Sequence, residues 1–224
     1  MVQVQQGERI KSTRRNAGVF CKILNFVLMF DLFYPASAAP VYPRPSADRP
    51  GRPDVPAGEM LPLIEPNGIV YGQASRAWCH SGTTALHPVV HLQIMDREGN
   101  LYLQKRSMFK HRWPGRWDMA VGGHISYGET VLEALYREAA EELGLHQFNP
   151  SFIGTYIYET RRDREMVIIF AHIGHPELFP DNAEVTEGRW WTPAQIDAAM
   201  NAGIFTPNFE DEFSRIRETL TAML

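Results

Sequence analysis

Two cysteines in 224 residues, Cys21 and Cys79, stand far apart in unlike surroundings, which argues against a disulfide framework and a cysteine zinc site. A reducing compartment fits this usage, and a cytoplasmic location is expected. An excess of either charge is also missing. Lys and Arg number 22 against 26 Asp and Glu, a formal net charge of −4. That balance gives no general attraction to nucleic acid or to an anionic membrane, so no specific nucleic-acid binding is expected. No internal repeat is visible. Long apolar runs are lacking as well. The stretch "VFCKILNFVLMFDLF" is interrupted by Lys22, Asn25 and Asp31, and its longest unbroken piece, Phe26 to Phe30, falls far short of the roughly 20 residues that span a bilayer. Basic "GERIKSTRRN" before it and "PASAAP" after it give the order of a signal peptide, but the broken apolar segment argues against export.

The next segment, "PVYPRPSADRPGRPDVPAGE", has little to bury and reads as a disordered linker. Met60 follows it directly. Residues 1–59 are therefore read as a disordered extension or a mis-called start, and 60–224 as the folded domain. With 44% hydrophobic residues the chain can bury a real core. "LPLIE" and "IVYGQAS" flank "PNG", and "HPVVHLQIMD" and "LYLQKRS" flank "REGN", two hairpin patterns. "WDMAVGGH" reads as one strand ending in glycines. "FIGTYIYE" and "EMVIIFAHI" form strands around "TRRDR", and "GRWWTP" gives a last one. Apolar residues at helical spacing (Val131, Leu135, Ala139 and Leu143, widened by Leu132 and Ala134) predict a helix over Glu129 to Leu143, capped by Gly144. Two more helices are predicted at "PAQIDAAMNA" and "NFEDEFSRIRETLTAML". Strands, helix, strands, helices is the order of an α+β fold with a mixed sheet.

That first helix carries an unusual load of acid. Glu138, Glu141 and Glu142 stand at i, i+3 and i+4, so their side chains share one patch. Like charges this close repel unless a cation is present, and hard divalent ions such as Mg2+ or Mn2+ prefer oxygen ligands with positions left for water and phosphate. A solvated polar face is the alternative. The flanks favour the cation: glycines ahead of the helix allow close backbone approach, and Arg137 can reach back to Glu129.

Gly123, Glu129, Arg137, Glu138, Ala139, Glu141, Glu142, Gly144 and Leu145, at this spacing, resemble a complete box of the Nudix hydrolase superfamily. The resemblance implies an α/β/α sandwich and cleavage of a diphosphate joined to another moiety, with water as nucleophile and a divalent metal as electrophile. It assigns Glu138, Glu141 and Glu142 to the metal, one of them doubling as general base, with the Gly123 carbonyl assisting. It makes Arg137 and Glu129 the pair that holds the loop.

The stretch from Leu86 to His124 is similar to type I isopentenyl diphosphate isomerases, which share this fold. The matching elements are His87, Arg106, Lys110, "WPG" and His124, and His80 precedes His87 by seven residues as in those isomerases. By that resemblance His80, His87, His124, Asp163 and Glu165 form a second metal set for Mn2+, Mg2+ or Zn2+, and Arg106 and Lys110 bind substrate phosphate. Each has a plainer reading, as turn, core or surface residues, and His91 reads as an ordinary strand residue. Isomerases carry a cysteine just before "GH", where this chain has Gly122, and their carboxylate helix is degenerate. Both differences favour hydrolysis over isomerisation. A non-catalytic ligand-sensing module is the other alternative. Trp113, Trp117, Tyr156 and Tyr158 could stack a base or simply pack, and Glu184 and Glu187 are surface acids that could add to the metal site. A small-molecule diphosphate is the expected partner, and a homodimer is compatible with the family.

Overall fold

The computed structural model describes residues 58–180 and 184–224. The readings made for the basic, apolar and proline-rich segments and for Cys21 lie outside them. In chain order the elements are β1 (Met60–Ile64), β2 (Val70–Ser75), α1 (Arg76–Cys79), β3 (His87–Met95), β4 (Leu101–Arg106), β5 (Trp117–Asp118), β6 (Val121–His124), α2 (Val131–Leu143), β7 (Ser151–Glu159), β8 (Arg164–Ile173), β9 (Val185–Trp191), α3 (Pro193–Ala199) and α4 (Pro207–Thr221). β1 and β2 form a separate hairpin. The other seven strands form one sheet in the order β5-β4-β3-β8-β7, with β6 paired to β3 and β9 to β4. β3 and β8 run parallel in nine-residue register while the remaining pairs are antiparallel, so the sheet is mixed, as the element order indicates.

Alternation along β3 builds two cores. Val90, Leu92 and Ile94 face α2, meeting Val131, Leu135, Ala139 and Leu143. Val89 and Met95 face the other way, toward Ile196 of α3 and Phe209, Phe213 and Ile216 of α4. The result is the expected α/β/α sandwich. Helix α2 begins at Val131, two residues later than its periodicity suggests, because Thr130 and Glu133 form a capping box: the Glu133 carboxylate accepts from the Thr130 amide at 2.8 Å, and the Thr130 hydroxyl accepts from the Glu133 amide at 3.2 Å. One of the acids on this helix is thereby accounted for. Gly144 ends the helix at φ 61, a left-handed conformation that costs glycine little.

"WDMAVGGH" is two strands, not one. β5 pairs with β4 through Trp117 and Asp118, and β6 pairs with β3 through Val121 to His124. The chain changes partner between them because β3 and β4 pair only at Ile94–Met95 with Leu101–Tyr102. Beyond that point the two strands diverge, and β6 takes the edge of β3 that β4 has left.

Candidate active site

The divergence of β3 and β4 opens a split in the sheet, and Glu142 occupies it. Its carboxylate accepts from Gln104 Nε2 of β4 at 2.9 Å and from the Gly122 amide of β6 at 3.3 Å. The side of the helix that carries Ala139 and Leu143 into the core also carries this acid, which is 7% exposed. Burial, and then the nearby Glu138 carboxylate, push its carboxyl up to about 8. Glu138 is raised as well, mainly by burial, although Arg137 donates to it at 2.7 Å. Glu141 points outward, its side chain 60% exposed, and accepts from Arg137 at 3.2 Å. The three acids thus reach the same end of α2 from different depths.

Arg137 organises the loop before the helix. Its Nε and Nη2 donate to the two oxygens of Glu129, each at 2.8 Å, and Nη2 also reaches the His124 carbonyl at 2.9 Å. Gly123 lies directly under Glu138: a Cβ placed there would fall 1.9 Å from the Glu138 Cδ. Gly123→Ala is therefore expected to displace the flexible end of Glu138 more than the backbone. Turnover should fall by about 10²-fold, the scale of losing one aligned charge contact in a transition state, with only a small change in melting temperature. Steady-state kinetics and thermal unfolding of the same preparation would check this.

On the opposite face of the sheet the structure gathers His80, His87, His124 and Glu165. One ligand atom from each lies within 4.8 Å of the others. Register explains the meeting: His87 pairs with Glu165 across β3 and β8, and Val89 with His124 across β3 and β6. His80 arrives from the turn after α1. Burial, and then His80 for the one and Arg76 for the other, hold His87 down to about 4 and His124 well below its usual value, so both rings are neutral at physiological pH. His87 Nδ1 bonds the Ala85 carbonyl at 2.9 Å, leaving its buried Nε2 without a partner, as is the buried Nδ1 of His124. Neutral imidazoles with free lone pairs beside a carboxylate are the donor set of a divalent metal site. Asp163 stands one step back, where its carboxylate is bonded to His80 Nδ1 at 2.8 Å and to Arg112 Nη1. A carboxylate on the far nitrogen of a ligating histidine fixes its tautomer and strengthens it as a ligand.

The cations read as phosphate binders are found in ion pairs. Arg106 Nη1 donates to Asp118 at 3.2 Å and its Nε to the Arg112 carbonyl, and Lys110 donates to Glu184 at 2.6 Å. Glu184 adds a smaller upward push on Glu142. Glu187 accepts from Lys105 at 3.4 Å. Trp117 is buried against Trp191, with the Arg189 guanidinium over both rings, whereas Trp113 is 45% exposed under Arg116. Cys79 is buried, which pushes its thiol up to about 12, outside the range of a reactive thiolate. Arg112 was not legible as a partner of Asp163. Nor was the inward position of Glu212, although its spacing from Phe209 and Ile216 places it on the apolar face of α4.

Residues 85–210 match the family described as NUDIX domain. The chain is 29% identical over 167 residues to the isopentenyl-diphosphate Delta-isomerase of Brevibacterium linens, covering 71% of this chain and 92% of that one. It is 33% identical over 126 residues to an uncharacterized Nudix hydrolase of Listeria innocua, covering 55% and 74%. Among solved structures, DR0079 from Deinococcus radiodurans aligns with a TM-score of 0.62 at 24% identity, over 70% of this chain and 98% of that one. The NUDIX domain of Shewanella oneidensis NrtR, solved with ADP ribose, aligns with a TM-score of 0.51 at 18% identity, over 59% and 87%. These two likenesses concern the fold. Among the described residues, no helix is long and apolar enough to cross a membrane.

Proposed function

The chain belongs to the Nudix family, and we propose that it is a divalent-metal-dependent hydrolase that cleaves the diphosphate linkage of a nucleoside diphosphate derivative or a related organic diphosphate. The observation that carries this reading is the lodging of Glu142 in the split of the sheet, bonded to Gln104 and the Gly122 amide and electrostatically coupled to Glu138. A buried acid held above its usual range, beside a second one, is poorly satisfied without a cation.

Glu138, Glu141 and Glu142, with the Gly123 carbonyl, would hold Mg2+ or Mn2+ at this point. Such an ion neutralises the diphosphate and acidifies a bound water. The protein supplies the rest. Gln104 and the Gly122 amide fix the Glu142 carboxylate, Arg137 fixes Glu129 and with it the loop, and Glu138 rests on Gly123. Arg106 and Lys110 are the cations assigned to the phosphates, which would draw them from Asp118 and Glu184. One of the box carboxylates accepts the proton of the attacking water.

The sandwich-opposite histidine group favours a second reading, an isomerase-like reaction on an allylic diphosphate, and relatives named isopentenyl-diphosphate Delta-isomerase share this part of the chain. Gly122 offers no side chain for proton transfer at carbon, which weighs against it. Phosphorus NMR of a panel of nucleoside diphosphate derivatives and isopentenyl diphosphate with Mg2+ separates the readings. Hydrolysis splits the diphosphate signals into monophosphates, isomerisation leaves them intact, and a sensing module yields no product.

Metal binding has its own expected signature. Because burial pushes the Glu142 carboxyl up to about 8, Mg2+ would have to displace a proton below that pH. Added Mg2+ should therefore raise the melting temperature by several degrees at pH 8.5 and by much less at pH 6. Thermal unfolding at the two pH values, with and without Mg2+, tests it. Equal shifts would show that no proton leaves Glu142 when the metal binds.

A further inference from the structure

A cavity of about 490 Å³ lies on the face of the sheet that α2 covers, and the box chemistry above does not use it. Its volume is that of a small-molecule site, about 300–1,000 Å³. Tyr102, His175, Glu177, Phe179, Gly188 and Trp190 are among the residues that line it. The floor is β4 against β9, where Tyr102 pairs with Trp190 and Gln104 with Gly188. The wall is the segment 174–180 that follows β8, and it is pinned near both ends. The Gly174 amide donates to the Met95 carbonyl at the end of β3, and the Phe179 amide to the Leu143 carbonyl of α2, each at 2.8 Å. The cavity is thereby preformed, and it adjoins the box through printed contacts on one face of the sheet: Phe179 holds the residue next to Glu142, and Gln104, the register partner of Gly188, holds Glu142 itself.

Flat rings and one unpaired hydroxyl give this cavity its chemistry. His175 stacks on Trp190 with centroids 4.5 Å apart and planes 21° from parallel, and Tyr102 meets Trp190 edge-on at 5.6 Å. Such rings bind a further flat ring by stacking. Tyr102 is 6% exposed, yet its hydroxyl bonds no described residue, and a buried hydroxyl is costly until it finds a partner. Gly188 makes the room for it, since a Cβ there would fall 1.8 Å from Tyr102 Oη. A glycine inside a strand weakens the strand, so its place here is explained by the hydroxyl it accommodates. Glu177 adds an exposed carboxylate that pairs with no described cation. We propose that the cavity is a binding site for an amino-bearing purine ring such as adenine, stacked on Trp190, with the Tyr102 hydroxyl donating to a ring nitrogen and the Glu177 carboxylate accepting from the exocyclic amine. A carbonyl in place of that amine sets lone pairs against the carboxylate and is rejected. Two sources supply such a ring, the base of a substrate cleaved at the box and a separate nucleotide, and the test tells them apart.

The probes are adenosine and inosine, which carry no phosphate and differ in the amine, titrated calorimetrically into the full chain. Adenosine should bind one per chain and inosine at least about tenfold more weakly. Tyr102→Phe keeps the ring against Trp190 and should lower adenosine affinity about tenfold, while Trp190→Leu should lower it by about tenfold or more. Thermal unfolding shows that each variant is folded, and should Trp190→Leu fail to fold, Tyr102→Phe and the ratio of the two nucleosides decide. No binding of adenosine, equal affinity for inosine, or an unchanged affinity in Tyr102→Phe overturns the proposal and leaves the hydrolase reading standing. Where adenosine binds, its effect on turnover names the source of the ring. A rise in KM with kcat unchanged places the substrate's base in the cavity, and an unchanged KM assigns the cavity to a separate nucleotide. A parent that binds adenosine and hydrolyses no diphosphate sinks the hydrolase reading alone.

Discussion

Glu142→Gln is expected to abolish most turnover while leaving the protein folded and, at alkaline pH, more stable than the parent. Glutamine keeps an acceptor oxygen for Gln104 Nε2 and the Gly122 amide, so the split between β4 and β6 stays filled. What disappears is the negative charge. Several kcal/mol of transition-state stabilisation rest on such a metal-binding carboxylate, which corresponds to roughly 10²–10³-fold or more in kcat/KM. The stability effect has a definite sign. A carboxyl whose folded value is raised to about 8 contributes stability that is fully present below the ordinary carboxylate range and is lost as pH rises through about 8. The variant cannot titrate there. In metal-free buffer its melting temperature should match the parent's closely at pH 5 and exceed it by a growing margin toward pH 9. Thermal melts across that range, beside hydrolysis rates with Mg2+, measure both halves. Undiminished turnover would remove Glu142 from the metal site, and a pH-independent margin would show that its burial carries no charge penalty.

The same residue shows how far a linear sequence can be read. That three acids share one end of α2 follows from a period of 3.6 residues, and the position of Glu142 beside Leu143 places it near the buried stripe. Its lodging between strands does not follow, because the split depends on β3 exchanging β4 for β6 after two paired residues. The fold class was legible for the opposite reason: alternation in β3 and β8, the helical stripe of α2 and the order of elements are local patterns that lead to one sandwich. Both end signals of α2 were local too, although only Gly144 was read and the Thr130–Glu133 box was not.

Sites assembled from distant elements were legible only through resemblance. His80, His87, His124 and Glu165 come from a turn and three strands, and nothing in their spacing requires them to meet. The parallel register of β3 with β8 brings the last of them across nearly 80 positions of chain. Asp163 shows the limit of that route: named as a ligand by resemblance, it sits behind His80 and is shared with Arg112. The sequence places His91 in a strand and Glu212 in the last predicted helix without linking them, since a pair 121 residues apart leaves no local trace.

Arg137→Met should produce the largest loss of stability among single changes at the box. The guanidinium serves five acceptors at once: both Glu129 oxygens, the His124 carbonyl, Glu138 and Glu141. Its hydrogen bonds to Glu129 are the chief reason its charge is held so firmly. Methionine fills much of the volume but leaves two poorly exposed carboxylates, Glu129 and Glu138, without their cation. Breaking a buried pair costs about 3–5 kcal/mol. The Arg137 side chain is 31% exposed, so screening by solvent lowers the expectation to about 2–3 kcal/mol, or roughly 5–10 °C in melting temperature. Lysine should recover only part of this, because a single ammonium cannot reproduce the planar fork on Glu129. A double-mutant cycle with Glu129→Gln should show coupling of about 1 kcal/mol or more, and additivity would mean that the fork contributes little. The bond to the His124 carbonyl gives the change a second reach, since His124 presents its ring to the histidine group on the far face while its carbonyl is tied to the box. Loosening that tie should weaken Mn2+ or Zn2+ binding at the histidines as well as turnover at the glutamates. Calorimetric titration of Arg137→Met with Zn2+ would detect it, and an unchanged affinity would show that the two faces of β6 act independently.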